Sequence, residues 1–85
     1  MTETTMTTLD RSDSWTQLGA SDPEAITIKC NSPGTWHLAI AASAPAADFE
    51  GEVYKNQFEP WLGGGITGNV YVRVEGDGMS FAVTE

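Results

Sequence analysis

Little in this chain is equipped for chemistry. It holds one cysteine, Cys30, and one histidine, His37, in 85 residues. A lone cysteine excludes an internal disulfide, and without a Cys/His cluster a structural zinc site lacks ligands. Basic residues are scarce too: four Lys and Arg stand against twelve Asp and Glu, a formal charge of −8. That balance argues against nucleic acid, whose binding rests on neutralising phosphates, and against anionic membranes. No apolar run approaches the ~20 residues of a membrane span. The opening Met-Thr-Glu-Thr-Thr-Met-Thr-Thr has neither the basic nor the apolar region of a signal peptide. The expectation is therefore synthesis in a reducing cytoplasm. The length, 85 residues, allows one domain at most. A chain this short buries only about 60–65% of its unfolded surface, so its core is thin. With disulfides and metal set aside, self-association is the expected support.

What is present is alternation. Val70, Val72 and Val74 point one way, and Tyr71, Arg73 and Glu75 the other. After Gly76-Asp77-Gly78 the pattern resumes with Met79, Phe81 and Val83 against Ser80, Ala82 and Thr84. Period-2 alternation across a glycine turn predicts an antiparallel hairpin over residues 69–84. Ile26, Ile28 and Cys30 form another inward set, with Thr27 and Lys29 outward. Asn31-Ser-Pro-Gly34 then makes a turn. Trp36, Leu38 and Ile40 follow on one strand face, with His37, Ala39 and Ala41 opposite, so residues 25–42 predict a second hairpin. Trp15 to Leu18 is a short strand candidate. The Ser43 to Gly51 connection contains Pro45, which excludes a central strand, and it has room for one helical turn over 45–49. Residues 52–58 fit a strand or an extended loop. Gly63-Gly64-Gly65 predicts a mobile loop. No helix of ordinary length and no repeat is present. The fold class is all-β: a small antiparallel sandwich or barrel of about six or seven strands over residues 15–85.

Residues 1–14 read as an extended polar N-terminal arm with Leu9 among Thr, Glu, Asp and Ser. Ordering the first thirteen of these residues costs on the order of 13–26 kcal/mol of backbone entropy. An ordered arm would therefore be expected to lie on a neighbouring chain.

Each candidate for chemistry has a plainer competitor. His37 lacks a Ser or Asp at a recognisable spacing and reads as a surface or interface histidine rather than a general base. Asp48, Glu50 and Glu52 miss the twelve-residue register of a calcium loop and read as a solvated acidic loop. The Gly63–Gly68 stretch has no following Lys or helix, which a phosphate cradle requires. Cys30 reads as a small buried hydrophobe. No catalytic, cofactor or metal residue is assigned. Three tryptophans are a heavy load. Trp36 belongs to the core by its strand face, while Trp15 and Trp61 flank turns, where half-exposed aromatics suit a protein contact.

The string Trp15-Thr-Gln-Leu18, Ile26-Thr-Ile28, Trp36-His-Leu-Ala-Ile-Ala-Ala-Ser-Ala-Pro45, Glu59-Pro60, Val70-Tyr-Val-Arg-Val74 and Phe81-Ala-Val-Thr84 resembles small β-sandwich virion proteins of tailed bacteriophages. These act as capsid decoration (cement) proteins or head-fibre bases. The resemblance covers residues 15–85 and has no catalytic residues to carry over. It implies a structural protein on the outer capsid surface, made in the host cytoplasm. Its implied partners are the major capsid protein and its own copies as a homotrimer, with no nucleic acid or membrane. The expected contact residues are Leu9, Trp15, Phe58, Trp61, Leu62 and Tyr71. A tail or fibre-attachment adaptor is one alternative. A carbohydrate-binding module that stacks sugars on Trp15 and Trp61 is another.

Overall fold

The alternating segments bury the faces that their sequences assign. Val70, Val72, Val74, Met79, Phe81, Ile26, Ile28, Cys30, Trp36 and Leu38 are all buried in one cluster. The computed structural model describes residues 3–11 and 14–85. Among the described residues there are eight strands and no helix. They are β1 (Thr4–Leu9), β2 (Thr16–Leu18), β3 (Ala25–Cys30), β4 (Thr35–Ala41), β5 (Glu52–Lys55), β6 (Trp61–Gly64), β7 (Asn69–Val74) and β8 (Met79–Thr84). They form two four-stranded sheets, ordered β1-β8-β3-β6 and β2-β7-β4-β5, with every pairing antiparallel. The molecule is a small β-sandwich, as its sequence predicts.

Neither predicted hairpin forms. β7 and β8 belong to different sheets, and so do β3 and β4. Each pair is an arch, with its two strands facing each other across the core. Alternation dictates which side chains turn inward, but a hairpin and an arch satisfy that demand equally. The Glu75–Gly78 link is held in its arched form from outside. Asp10 Oδ1 accepts from the Gly78 N–H at 2.8 Å, and Asp77 Oδ1 accepts from the Arg11 N–H at 2.9 Å. The second arch is fixed by reciprocal bonds. Asn56 Oδ1 accepts from the Gly34 N–H at 2.8 Å, and the Asn56 N–H donates to the Gly34 carbonyl at 2.9 Å.

The polar arm is also placed differently from expectation. Its residues 4–9 are β1, an edge strand paired along its whole length with β8 of the same chain, from Thr4↔Thr84 to Leu9↔Met79. The ordering cost is met within the chain by that ladder and by Leu9, which packs against the core. Residues 1, 2, 12 and 13 of the expected arm lie outside the described residues. The glycine run is likewise not a free loop. Gly63 and Gly64 pair with Ile26 and Ala25. A Cβ on Gly63 would sit 2.7 Å from the Trp61 ring and from Ile66, so a larger residue there would have to displace those side chains. The helical turn expected over 45–49 is a single tight turn closed by the Phe49 N–H on the Ala46 carbonyl at 3.0 Å.

Candidate binding edge along β4, β5 and β6

Among the described residues six large apolar side chains are exposed, and five of them lie between residues 40 and 62: Ile40, Phe49, Val53, Phe58 and Leu62. The sixth, Met6, is on β1, at the opposite edge of its sheet. β5 and β6 are the outermost strands of their sheets, and Trp61 of β6 and Glu52 of β5 line one groove. The open side of the sandwich therefore carries most of the exposed large apolar side chains.

Its shape follows from where β5 stops. β5 pairs with β4 from Thr35↔Lys55 to Leu38↔Glu52 and goes no further. β4 continues to Ala41, paired only with β7. At the break stands Gly51, with φ +65, a left-handed conformation that suits glycine. A Cβ there would lie 2.6 Å from the Leu38 carbonyl oxygen. Gly51 thus allows the chain to turn tightly off the β4 edge onto the outer face of the sheet.

The segment 46–50 is fastened to that outer face by three side chains, each donating to a carbonyl. Trp15 Nε1 donates to Ala46 at 3.2 Å, Arg73 Nη2 to Phe49 at 3.3 Å, and His37 Nδ1 to Glu50 at 2.9 Å. These three also support one another. The Arg73 guanidinium lies 5.2 Å from the centre of the Trp15 ring, a cation–π arrangement, and Trp15 meets His37 edge-on at 6.4 Å. His37 Nε2 is 2.7 Å from Glu75 Oε2, so the imidazole ties the 46–50 segment to the β7–β8 arch.

The result is a groove of about 500 Å³ lined by Leu38, Ile40, Phe49, Glu50, Glu52 and Trp61, among others. A neighbouring one of about 440 Å³ on the far side of Ile40 and Phe49 is reached past Pro45, Ala46 and Asp48. Floors are apolar, and the charged groups lining both grooves are all acidic: Asp48, Glu50 and Glu52. Above Glu52, the Tyr54 hydroxyl donates to its carboxylate. Burial and that acidic acceptor push the Tyr54 phenol up to about 12. Burial also raises the Cys30 thiol, whose Sγ donates to the Ser32 carbonyl at 3.2 Å.

The residues expected at contacts divide by location. Phe58, Trp61 and Leu62 belong to the open side, with Leu62 74% exposed and Trp61 half-buried against the core. Leu9 is half-buried on β1, at the opposite edge. Trp15 and Tyr71 are not half-exposed platforms. Both are 7% exposed and form, with Ala39, a second small cluster on the outer face of the β2-β7-β4-β5 sheet. His37, read as a surface or interface residue, is 6% exposed. The reason is shared: the 46–50 segment and Trp15 roof a face that strand alternation alone would leave to solvent. The sequence gives Phe49 and Gly51 no contact role and places Ile40 on the inward strand face with Trp36 and Leu38. Pro45 and Gly51, which bracket the 46–50 turn, were the available signal. Among the described residues no group of three or more His, Cys, Asp or Glu side chains converges as a metal site would require. Searches with family models, against curated proteins and against solved structures find no match for this chain.

Proposed function

We propose that this protein is a structural component of a tailed-phage virion, a decoration protein that binds the outer surface of the head and bridges capsid subunits. The observation that supports this reading is the one-sided exposure of Ile40, Phe49, Val53, Phe58 and Leu62 on a small acidic sandwich. Scattered single apolar residues are ordinary on a surface, but several gathered along one edge of a small domain suit a docking region. The mechanism is mechanical: each copy adds interface area across a joint between capsid subunits. In this reading the charge of −8 steers the protein toward basic patches and keeps free copies apart. Trimers centred on threefold axes fit a chain whose own core is thin. Co-sedimentation with purified undecorated heads tests the proposal. Saturable binding in a symmetry-compatible ratio, with decorated heads more heat-resistant than bare ones, is the expected result. Heads that neither bind the protein nor gain stability would refute it. A tail-adaptor role uses the same face and would be distinguished by where labelled antibody lands on the virion. The glycan alternative loses one of its two platforms, because Trp15 is buried beside Arg73 rather than offered to solvent, which leaves Trp61 alone in the groove.

A further inference from the structure

The free edge of β4 has a definite hydrogen-bonding polarity. In an antiparallel ladder, successive residues of a strand direct their N–H and C=O groups to opposite neighbours. Thr35 accepts from the Glu75 N–H, so the odd residues of this run face β7. Gly34 accepts from the Asn56 N–H, so the even residues face β5. The Leu38 carbonyl obeys the same parity, being the group that a Cβ on Gly51 would strike. Ile40 is even, and β5 has no residue opposite it, because its register ends at Leu38↔Glu52. The N–H and C=O of Ile40 therefore point out of the sheet edge, beside a side chain that is 48% exposed. An unpaired edge with an apolar groove on each side of it is the arrangement that receives an added strand.

We propose that β4 takes up an extended segment of a partner protein as an added strand at Ile40. The segment would place alternate apolar side chains in the two grooves and carry lysine or arginine between them. Charge identifies this occupant. Among the described residues, every charged group lining the two grooves is a carboxylate, Asp48, Glu50 or Glu52, with no Lys or Arg. A second copy of the chain would bring a charge of −8 to that rim, so a basic partner strand is favoured over self-association at this edge. The inference rests on the reading of the protein as one that docks, and it names what it docks.

The test uses the full chain and a labelled probe, acetyl-Lys-Val-Lys-Leu-Lys-Val-Lys-amide, alongside the same peptide with every lysine changed to glutamate. The lysine peptide binds saturably by fluorescence polarisation and weakens with added salt. The glutamate peptide binds at least about tenfold more weakly. Amide chemical shifts move at residues 38–41 and 49–52, not along β1. Ile40→Pro removes the outward N–H without touching the ladder to β7 and reduces binding at least about tenfold. Glu50→Lys, on an exposed side chain that makes none of the fold's side-chain bonds, does the same if the proline variant does not fold. Equal binding of the two peptides, shifts confined to other edges, or unchanged binding by Glu50→Lys would overturn the inference. Head co-sedimentation separates it from the decoration reading. Heads that bind wild type and Glu50→Lys equally leave decoration standing and remove the β4 site. Peptide binding at β4 without head binding keeps the site and removes decoration.

Discussion

Replacing Trp15 with alanine should cost this protein about 3–4 kcal/mol of stability. A tryptophan buries roughly 150–250 Å², and Trp15 is 7% exposed. At ~25 cal/mol per Å² that area is worth about 4–6 kcal/mol. A compact unfolded chain already hides part of it, which reduces the figure by roughly 10–40%, and Trp-to-Ala changes in cores usually cost about 3–5 kcal/mol. The loss has consequences beyond area. The Ala46 carbonyl loses its indole donor, and Arg73 and His37 lose the ring between them. A domain of 85 residues has a total stability of about 4–13 kcal/mol, so the variant would stand near its unfolding threshold. Urea denaturation followed by circular dichroism reads the change as a midpoint lowered by ~2–4 M, for a slope near 1–1.5 kcal/mol/M. Trp15→Phe, which keeps a ring but loses the donor, should lose about 1–2 kcal/mol. A Trp15→Ala loss below about 1 kcal/mol would mean that Trp15 does not roof the outer face, and the 46–50 segment would need another anchor.

Further expectations follow from other parts of the structure. Gly51→Ala forces a side chain into a left-handed backbone conformation and against the Leu38 carbonyl, so a loss of about 1–3 kcal/mol is expected by thermal melting. Leu62→Ser, at an exposed position, should leave the melting curve within about 0.5 kcal/mol of wild type while weakening head binding in the co-sedimentation assay; a large melting shift would mean that Leu62 packs internally. The folded Tyr54 phenol is raised to about 12 from an ordinary value of 10. The folded state therefore holds its proton more tightly than the unfolded one, and the stability this contributes is fully present below pH 10. It is lost as pH rises through about 12. Tyr54→Phe should flatten that part of the pH–stability profile. Cys30 is buried with its thiol raised, so a thiol reagent at pH 8 should label it only at the rate of global unfolding; prompt labelling of native protein would contradict the packing.

The class of this fold and the inward set of its core are legible in the alternation of the chain. Strict alternation at Ile26 to Cys30, Trp36 to Leu38, Val70 to Val74 and Met79 to Val83 states which side chains leave water, and every one of those is buried. It could not state which strand lies beside which, because alternation has the same form in a hairpin and in an arch. Sheet membership was decided by groups remote in sequence: Asp10 on Gly78, Asn56 on Gly34, and β1 on β8. The outer face shows the same division. His37, Ala39 and Tyr71 occupy the face opposite the core as predicted, yet they are buried, because Trp15 and residues 46–50 return over them. Nothing local announces a roof built by a segment from elsewhere in the chain. The candidate binding edge was partly legible, since Phe58, Trp61 and Leu62 were named from their turn and loop setting. Ile40 was assigned to the core by its parity, and its side chain does follow that parity. It is exposed because β5 ends two residues before it and the chain leaves the edge at Gly51. Where a strand loses its neighbour is a property of the assembled sheet, and only the tertiary structure contains it.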